Sequence, residues 1–487
     1  MQLQHPLMDL LKEWYWVLLI FAYLGVLITI ILENRNPAKS LAYILVLVTL
    51  PVVGLVIYYL FGRDYRKRKL FTSKSLRERE FLRDHFELHH ESVVSKVLEL
   101  YATAGDLIKP AVYLSRLSHG ELTTGNAVSA LINGEEKFPA LFGALEQATH
   151  HIHLEYYILT DDDIGRQLAD ILSRKSLQGV RVRVVIDGFG SPKADRLVRR
   201  MRNAGADVRY FMRVHFSSMA QSNYRNHRKI VVVDGHVGFV GGINLDDRYL
   251  NNGKHRLYWR DTSLKIEGPA VSSLQLQFLL TWKFCSRHEF PLDKTYFPDW
   301  SESPGSASVT LAASGPLSDR PYCMETILQG IQQAKQSIRI TNPYFVPSEQ
   351  VLTALQMAAA SGVDVELLVP GRGDSVVVQR ASYTYLKPLM DCGAKVYMYR
   401  KGFVHAKTIT IDGILSYVGT VNMDIRSFYI NFELTALVYD ADLCQALDRA
   451  FEEDLRHAVP VDRDRWMRRK LIQRFLDSVC RLLTPLL

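Results

Sequence analysis

The segment His227-Arg-Lys229-Ile-Val-Val-Val-Asp234 returns later in the chain as His405-Ala-Lys407-Thr-Ile-Thr-Ile-Asp412. Each copy has the spacing H-x-K-x4-D, and each is followed by Gly-x-x-Asn, Gly241 to Asn244 and Gly419 to Asn422. One such string is an ordinary solvated strand face. Two copies with matched glycine and asparagine require a duplicated unit. Any fold for this chain must therefore supply two equivalent strands, each presenting a histidine and a lysine on one face.

The repeat extends upstream. Ile152-His-Leu-Glu-Tyr-Tyr is matched by Ile338-Arg-Ile-Thr-Asn-Pro, and Gly179-Val-Arg-Val-Arg-Val by Gly362-Val-Asp-Val-Glu-Leu. Gly205-Ala-Asp-Val and Gly393-Ala-Lys-Val precede the two histidine segments. Strand, helix, strand, helix, strand in both halves predicts an α/β fold, two tandem domains over 121–300 and 301–460 related by a pseudo-two-fold. Equivalent glycines at 205 and 393 lie further apart than the two histidines, so the first half carries an insertion within Met212 to Asn226 that abuts the site.

A chain of 487 residues exceeds one ordinary core, in keeping with two domains. Its formal net charge of +8 favours anionic partners such as nucleic acid, acidic lipid headgroups or phosphate esters. The five cysteines are scattered, with neither zinc spacing nor a disulfide framework, which places the soluble part in a reducing compartment.

The N-terminus reads as membrane. Trp14 to Leu32 and Ser40 to Phe61 are uncharged apolar runs, each long enough at about 1.5 Å per residue to cross roughly 30 Å of hydrocarbon. Residues 1–62 are thus expected to form a two-helix transmembrane hairpin. Pro51 and Gly54 leave a re-entrant form open, and a cleaved signal peptide would need a shorter apolar core and no second span. Arg63, Arg66, Lys67, Arg68 and Lys69 against Asp64 put the following 63–120 linker and helical region, and all that comes after it, on the cytoplasmic side. Residues 461–487 form a basic amphipathic helix suited either to an anionic membrane surface or to packing on the second domain.

The duplicated residues suit a phosphodiester. One imidazole attacks phosphorus while the opposite imidazolium protonates the departing alcohol. Lys229 and Lys407, with the amides of Asn244 and Asn422, stabilise the phosphoryl oxygens. Asp234 and Asp412 belong to the motif and are counted with its catalytic residues, but each precedes a glycine, which favours fixing the hairpin or pairing with a lysine over acid-base work. Asp261 and Glu433 stand at equivalent places after the Gly-x-x-Asn turns and are the candidates to hold the histidines' second nitrogens. No metal and no cofactor is expected, because no His, Cys or carboxylate cluster has metal spacing.

These residues resemble the phospholipase D superfamily, whose hallmark is the doubled H-x-K-x4-D string, over essentially all of Thr123 to Asp440. Within it the chain looks like a bacterial cardiolipin synthase. The narrower match rests on Pro51-Val-Val-Gly, Trp259-Arg-Asp-Thr, Ile266-Glu-Gly-Pro269, Asn342-Pro-Tyr-Phe-Val-Pro347, Gly402-Phe-Val-His-Ala-Lys407 and Asn422-Met-Asp-Ile-Arg-Ser427. The resemblance implies an inner-membrane enzyme that forms a phosphatidyl-histidine from phosphatidylglycerol, releases glycerol, and passes the phosphatidyl group to a second phosphatidylglycerol to give cardiolipin. It assigns His227 as the nucleophile and His405 as the acid-base, although nothing in the sequence breaks the pseudo-symmetry chemically. Thr420 stands where the family more usually has serine, and keeps the hydroxyl. A hydrolytic phospholipase D, or a transferase with another donor lipid, shares the same intermediate. A membrane-anchored nuclease is disfavoured by the spans and the amphipathic tail, and a non-catalytic scaffold by retention of all four His and Lys.

Overall fold

The computed structural model describes residues 17, 20, 21, 23–32, 37–61, 93–118, 120–213, 224–286, 293–316 and 318–484. These divide into two compact units, one N-terminal (17–61) and one from residue 93 onward. The expected linker from Arg63 to residue 92, and most of the insertion before His227 (214–223), lie outside the described residues.

In the N-terminal unit the apolar run through Ser40–Phe61 is not one helix. It forms two, Pro37–Thr49 and Pro51–Phe61, because Pro51 has no N–H to continue the ladder. The second doubles back on the first: the Tyr43 and Tyr58 rings meet edge-on at 5.7 Å. Gly54 permits the close approach, since a Cβ there would lie 2.7 Å from the Leu47 Cα. Helices of 13 and 11 residues reach only about 20 and 16 Å, short of a bilayer core. Among the described residues no helix is long and apolar enough to cross a membrane.

In the larger unit the chain order is β1 (Thr123–Ile132), β2 (His151–Tyr156), β3 (Arg181–Asp187), β4 (Asp207–Phe211), β5 (Ile230–Val233), β6 (Val237–Gly241), β7 (Tyr258–Arg260) and β8 (Thr262–Glu267). The second half follows with β9 (Ala307–Ser314), β10 (Ser337–Thr341), β11 (Asp364–Pro370), β12 (Lys395–Tyr399), β13 (Gly402–Val404), β14 (Thr408–Ile411), β15 (Leu415–Gly419), β16 (Glu433–Tyr439) and β17 (Ala458–Pro460). Among the described residues, fifteen of these strands form one sheet in the order 17-12-11-10-14-15-16-9-1-8-6-5-2-3-4. Read outward from the β9–β1 junction, each half repeats the other: two antiparallel strands, a hairpin, then a parallel βαβ run. The expected α/β duplication is present, and the two halves share one sheet.

The hairpins explain the Asp-Gly pairs. Asp234 and Gly235 have φ of +53° and +74°, and Asp412 and Gly413 +53° and +67°, the left-handed pair that a two-residue turn with the right twist demands. Val231 and Val233, after the first histidine, pack into the first half's own core, whereas Ile230 and Val232 face a core shared with Val418 and Leu434 of the second half. Helices Ala270–Cys285 and Ala441–Leu455 contribute Leu274 and Leu447 to that shared core.

Residues 93–117 are part of the globular body. Helices Val93–Ala104 and Lys109–Leu117 bury Leu100, Ala111 and Leu114 in the second half's core, and the Tyr439 hydroxyl donates to the Leu107 carbonyl at 3.0 Å.

Candidate active site

The backbone just before each histidine is clamped to the other half. The His227 N–H donates to the Phe432 carbonyl at 2.9 Å, and the Phe432 N–H to the Arg225 carbonyl at 2.8 Å. Across the pseudo-two-fold, β13 pairs in parallel with β7, and the His405 N–H donates to the Arg260 carbonyl at 2.6 Å. Phe432 and Arg260 immediately precede Glu433 and Asp261. The pairing therefore sets each histidine in register against the other half's carboxylate: His227 Nδ1 lies 2.9 Å from Glu433 Oε2, and His405 Nδ1 lies 2.6 Å from Asp261 Oδ2.

A carboxylate can only accept, so each imidazole presents Nδ1–H to it and keeps the Nε2 lone pair. Both rings line one cavity of about 330 Å³, together with Asn244 and Asn422. The Oδ1 atoms of these two asparagines are buried without a hydrogen-bond partner among the described residues. Gly241 and Gly419 allow the turns into them: a Cβ would fall 2.4 Å from the Ser263 Cα in one case and 2.5 Å from the Thr435 Cα in the other.

Lys229 and Lys407 are buried two residues along from their histidines. Lys229 Nζ donates to the His227 carbonyl at 2.7 Å. Lys407 Nζ stands 2.9 and 3.1 Å from the two ring nitrogens of His405. Burial drives the charged forms down: Lys407 to about 8, Lys229 well below its ordinary value, and His405 to about 3 with Lys407 adding repulsion. Burial alone would raise Glu433 and Asp261, yet His227 and Lys229 hold the former low, and Lys407 and His405 the latter. The Thr420 hydroxyl also donates to Glu433, a contact that needs only the hydroxyl. The pocket is thus a place where buried cations are disfavoured and an anion relieves them.

Asp234 and Asp412 do not enter this cavity. Asp234 accepts from the N–H groups of Thr149, His150 and His151 at 2.7–2.9 Å, and Asp412 from those of Lys335, Gln336 and Ser337 at 2.8–2.9 Å. This corrects their place in the catalytic set: they tie the hairpin to the start of the neighbouring strand and sit in the site motif without facing the site.

Several lining residues were missed in the sequence. Arg225 and Arg426 reach the cavity beside His227, and Tyr249 and Trp259 beside His405. The Tyr249 hydroxyl lies 3.3 Å from His405 Nδ1, and Ser427 occupies the equivalent place in the other half. Lys137 is also buried nearby, donating to the Tyr156 hydroxyl at 2.7 Å and to the carbonyl of Ile243, next to Asn244, at 2.8 Å. Burial lowers it to about 7. A signal existed: Lys137 falls on the apolar stripe of helix Asn133–Gln147, four residues before Leu141.

Comparison with known proteins agrees with the duplication. A family model described as cardiolipin synthase, PLD-like domain, matches residues 141–271 and again 327–455. One described as phospholipase D-nuclease N-terminal matches residues 17–63. The chain is 40% identical over 460 residues to the cardiolipin synthase of Geobacillus sp. (strain WCH70), covering 94% of this chain and 90% of that protein. It is 37% identical to cardiolipin synthase 1 of Bacillus cereus, covering 95% and 92%. Among solved structures, the phosphatidylserine synthase of Haemophilus influenzae superposes with a TM-score of 0.57 at 13% identity, over 78% of this chain and all of that one, a likeness of fold alone. The doubled match and the full-length relatives make the chain a member of the phospholipase D-like cardiolipin synthase family.

Proposed function

We propose that this chain transfers a phosphatidyl group between two phosphatidylglycerol molecules, giving cardiolipin and glycerol. The observation that carries the reading is the pair of imidazoles in one cavity, each fixed on Nδ1 by a carboxylate of the opposite half. His227 Nε2 attacks the phosphorus of the first lipid. The bond from phosphorus to the glycerol headgroup oxygen breaks, and the leaving oxygen takes a proton from His405. The terminal hydroxyl of a second phosphatidylglycerol then gives its proton to His405 and attacks phosphorus, and the bond to His227 breaks. Lys229, Lys407, Asn244 and Asn422 hold the phosphoryl oxygens through both steps. A bound phosphodiester brings a negative charge beside His405, which raises its pKa toward the range an acid requires. Asp261 and Glu433 orient the rings, and Asp234 and Asp412 serve the scaffold.

The tandem domains are assigned to 121–300 and 301–460. The N-terminal unit is assigned as the membrane anchor of a bacterial inner-membrane protein, with the catalytic halves on the cytoplasmic side. Its helices expose Phe21, Ile28, Leu41, Leu45 and Val48, an apolar surface that suits lipid. The doubled-back Pro37–Phe61 segment fits a re-entrant element better than a full second span. Nucleic acid is not the assigned partner.

Product analysis of the lipid-reconstituted protein given phosphatidylglycerol alone tests the reading. Cardiolipin with one glycerol per turnover is the expected result. Phosphatidic acid in its place would mean that water is the acceptor, and would replace the transferase by a hydrolase.

A further inference from the structure

The C-terminal helix Leu471–Leu482 is seated through a buried carboxylate, not through its apolar stripe. Its buried residue Asp477 bonds Arg380 at 3.2 Å and Arg469 at 2.8 Å, joining it to helix Val376–Met390. Cys480 packs against the second half's core, and the Arg481 guanidinium lies 4.7 Å from the Tyr385 ring centroid. The opposite face is apolar and bare: Leu471 and Leu482 are 79% and 78% exposed and Phe475 63%, with Ile472, Leu476 and Val479 beside them. A helix that held itself to the body by its apolar stripe would show the reverse orientation. A contiguous exposed apolar face of this kind marks an interaction surface.

Two further observations say what covers it. Arg474 in this helix, and Arg468 and Lys470 just before it, are exposed, so the surface is apolar with a basic margin, the composition that seats a helix in an anionic lipid interface. The helix also ends at the active-site cavity: Thr484, two residues on, is buried and lines the pocket that holds His227 and His405. On the helix beneath it, Val376 is exposed while Val378 lines the pocket. The apolar face therefore abuts the pocket mouth.

We infer that helix Leu471–Leu482 lies in the interface of an anionic bilayer, apolar face down, and holds the pocket mouth at headgroup level so that substrate lipids enter without crossing water. This rests on the phosphatidyl-transfer reading for the identity of the lipid, but the seating itself is a binding property that can be read without turnover.

The test uses the full chain in nanodiscs of phosphatidylglycerol, with Cys285, Cys392 and Cys480 replaced by serine and an environment-sensitive fluorophore placed at F475C. A control label at L177C sits on another exposed leucine, at the end of helix Asp163–Leu177. Shallow spin-labelled lipids are expected to quench position 475 several-fold more than position 177. Equal quenching would overturn the proposal. So would 475-to-475 cross-linking or contact of position 475 with the N-terminal apolar segment, either of which names another occupant. In parallel, the F475E/L482E double variant is expected to lose about tenfold in turnover on bilayer phosphatidylglycerol. It should keep its rate on a short-chain phosphatidylglycerol presented below its micelle concentration. Loss on both substrates would mark a folding lesion and overturn the specific role. Quenching without any phosphatidyl transfer would leave the seating standing and remove the enzymatic reading instead.

Discussion

At the scale of single residues, the two histidines differ in what surrounds them more than in what holds them. His227 meets the edge of the Tyr157 ring at 5.1 Å, whereas His405 has the Tyr249 hydroxyl and the Lys407 ammonium at its ring nitrogens. His227→Ala is expected to abolish the covalent intermediate altogether. His405→Ala should still form it from a donor with an activated leaving group that needs no proton, while losing roughly 10²–10⁴-fold on the natural headgroup. Rapid-quench mass spectrometry of the phosphorylated peptide separates the two; label on the segment carrying His405 would reverse the roles. Lys407 adds a pH signature. Burial lowers it to about 8, so its ammonium, needed for the phosphate, is lost as pH rises through that value, and kcat/KM should fall on the alkaline side near pH 8. Lys407→Arg keeps its charge at all accessible pH and should move that limb upward even if the maximum rate drops. An unmoved limb would assign it to another group.

At the scale of elements, the Asp-Gly hairpins are structural parts inside a functional motif. Asp234→Ala removes a carboxylate that accepts three backbone N–H bonds and puts a Cβ residue without a local partner at φ +53°. A loss of roughly 2–4 kcal/mol in stability is expected, read in denaturant unfolding, with the substrate KM little changed in the folded fraction. Beside this hairpin, β2 carries a buried histidine cluster. His151 Nε2 and His153 Nδ1 both meet the Gln275 side-chain oxygen, at 3.0 and 3.1 Å. Burial pushes His151 down to about 4 and His153 well below its ordinary value. The unfolded chain, with histidines near 6.5, therefore binds protons the folded state refuses. Stability is full above about pH 6.5 and falls as pH drops toward 4, at up to about 1.4 kcal/mol per pH unit for each histidine. Denaturant melts at pH 7.5 and 5 measure the slope, and His153→Gln should flatten it. An unchanged slope would place the acid sensitivity elsewhere.

At the scale of the whole molecule, the halves are not separable. Each catalytic ring depends on the other half's acid, and the sheet runs unbroken through β1 and β9. A buried ion pair fastens the same seam: Arg260, whose carbonyl receives the His405 N–H, holds Asp454 of the second half at 2.8 Å. Asp454→Ala leaves Arg260 buried without that partner and is expected to cost about 3–5 kcal/mol. Because β7 carries both Arg260 and the backbone that registers His405, turnover should fall together with stability. Calorimetry paired with kinetics checks this, and full activity in a destabilised variant would uncouple the seam from the site.

How far the sequence reached follows from these cases. The duplicated His, Lys, Asn and Gly were legible because strand periodicity and repetition are local properties of the chain, and Asp234 and Asp412 because an Asp-Gly pair announces its own turn. Asp261 and Glu433 were legible as acceptors, but which histidine each serves was not. Lys137 left a trace on an apolar stripe that was not read, and Pro51 with Gly54 left a re-entrant form open, but the contact of Gly54 with Leu47 that decides it is tertiary. The sequence by itself determined two equivalent half-sites and the chemistry they bear. Only the tertiary structure decided that they exchange carboxylates and share one pocket, because that register is set by hydrogen bonds between segments far apart in the chain, Arg225 with Phe432 and Arg260 with His405. The orientation of the tail helix was decided in the same way, by the pairing of Asp477 with Arg380, a partner no periodicity reveals.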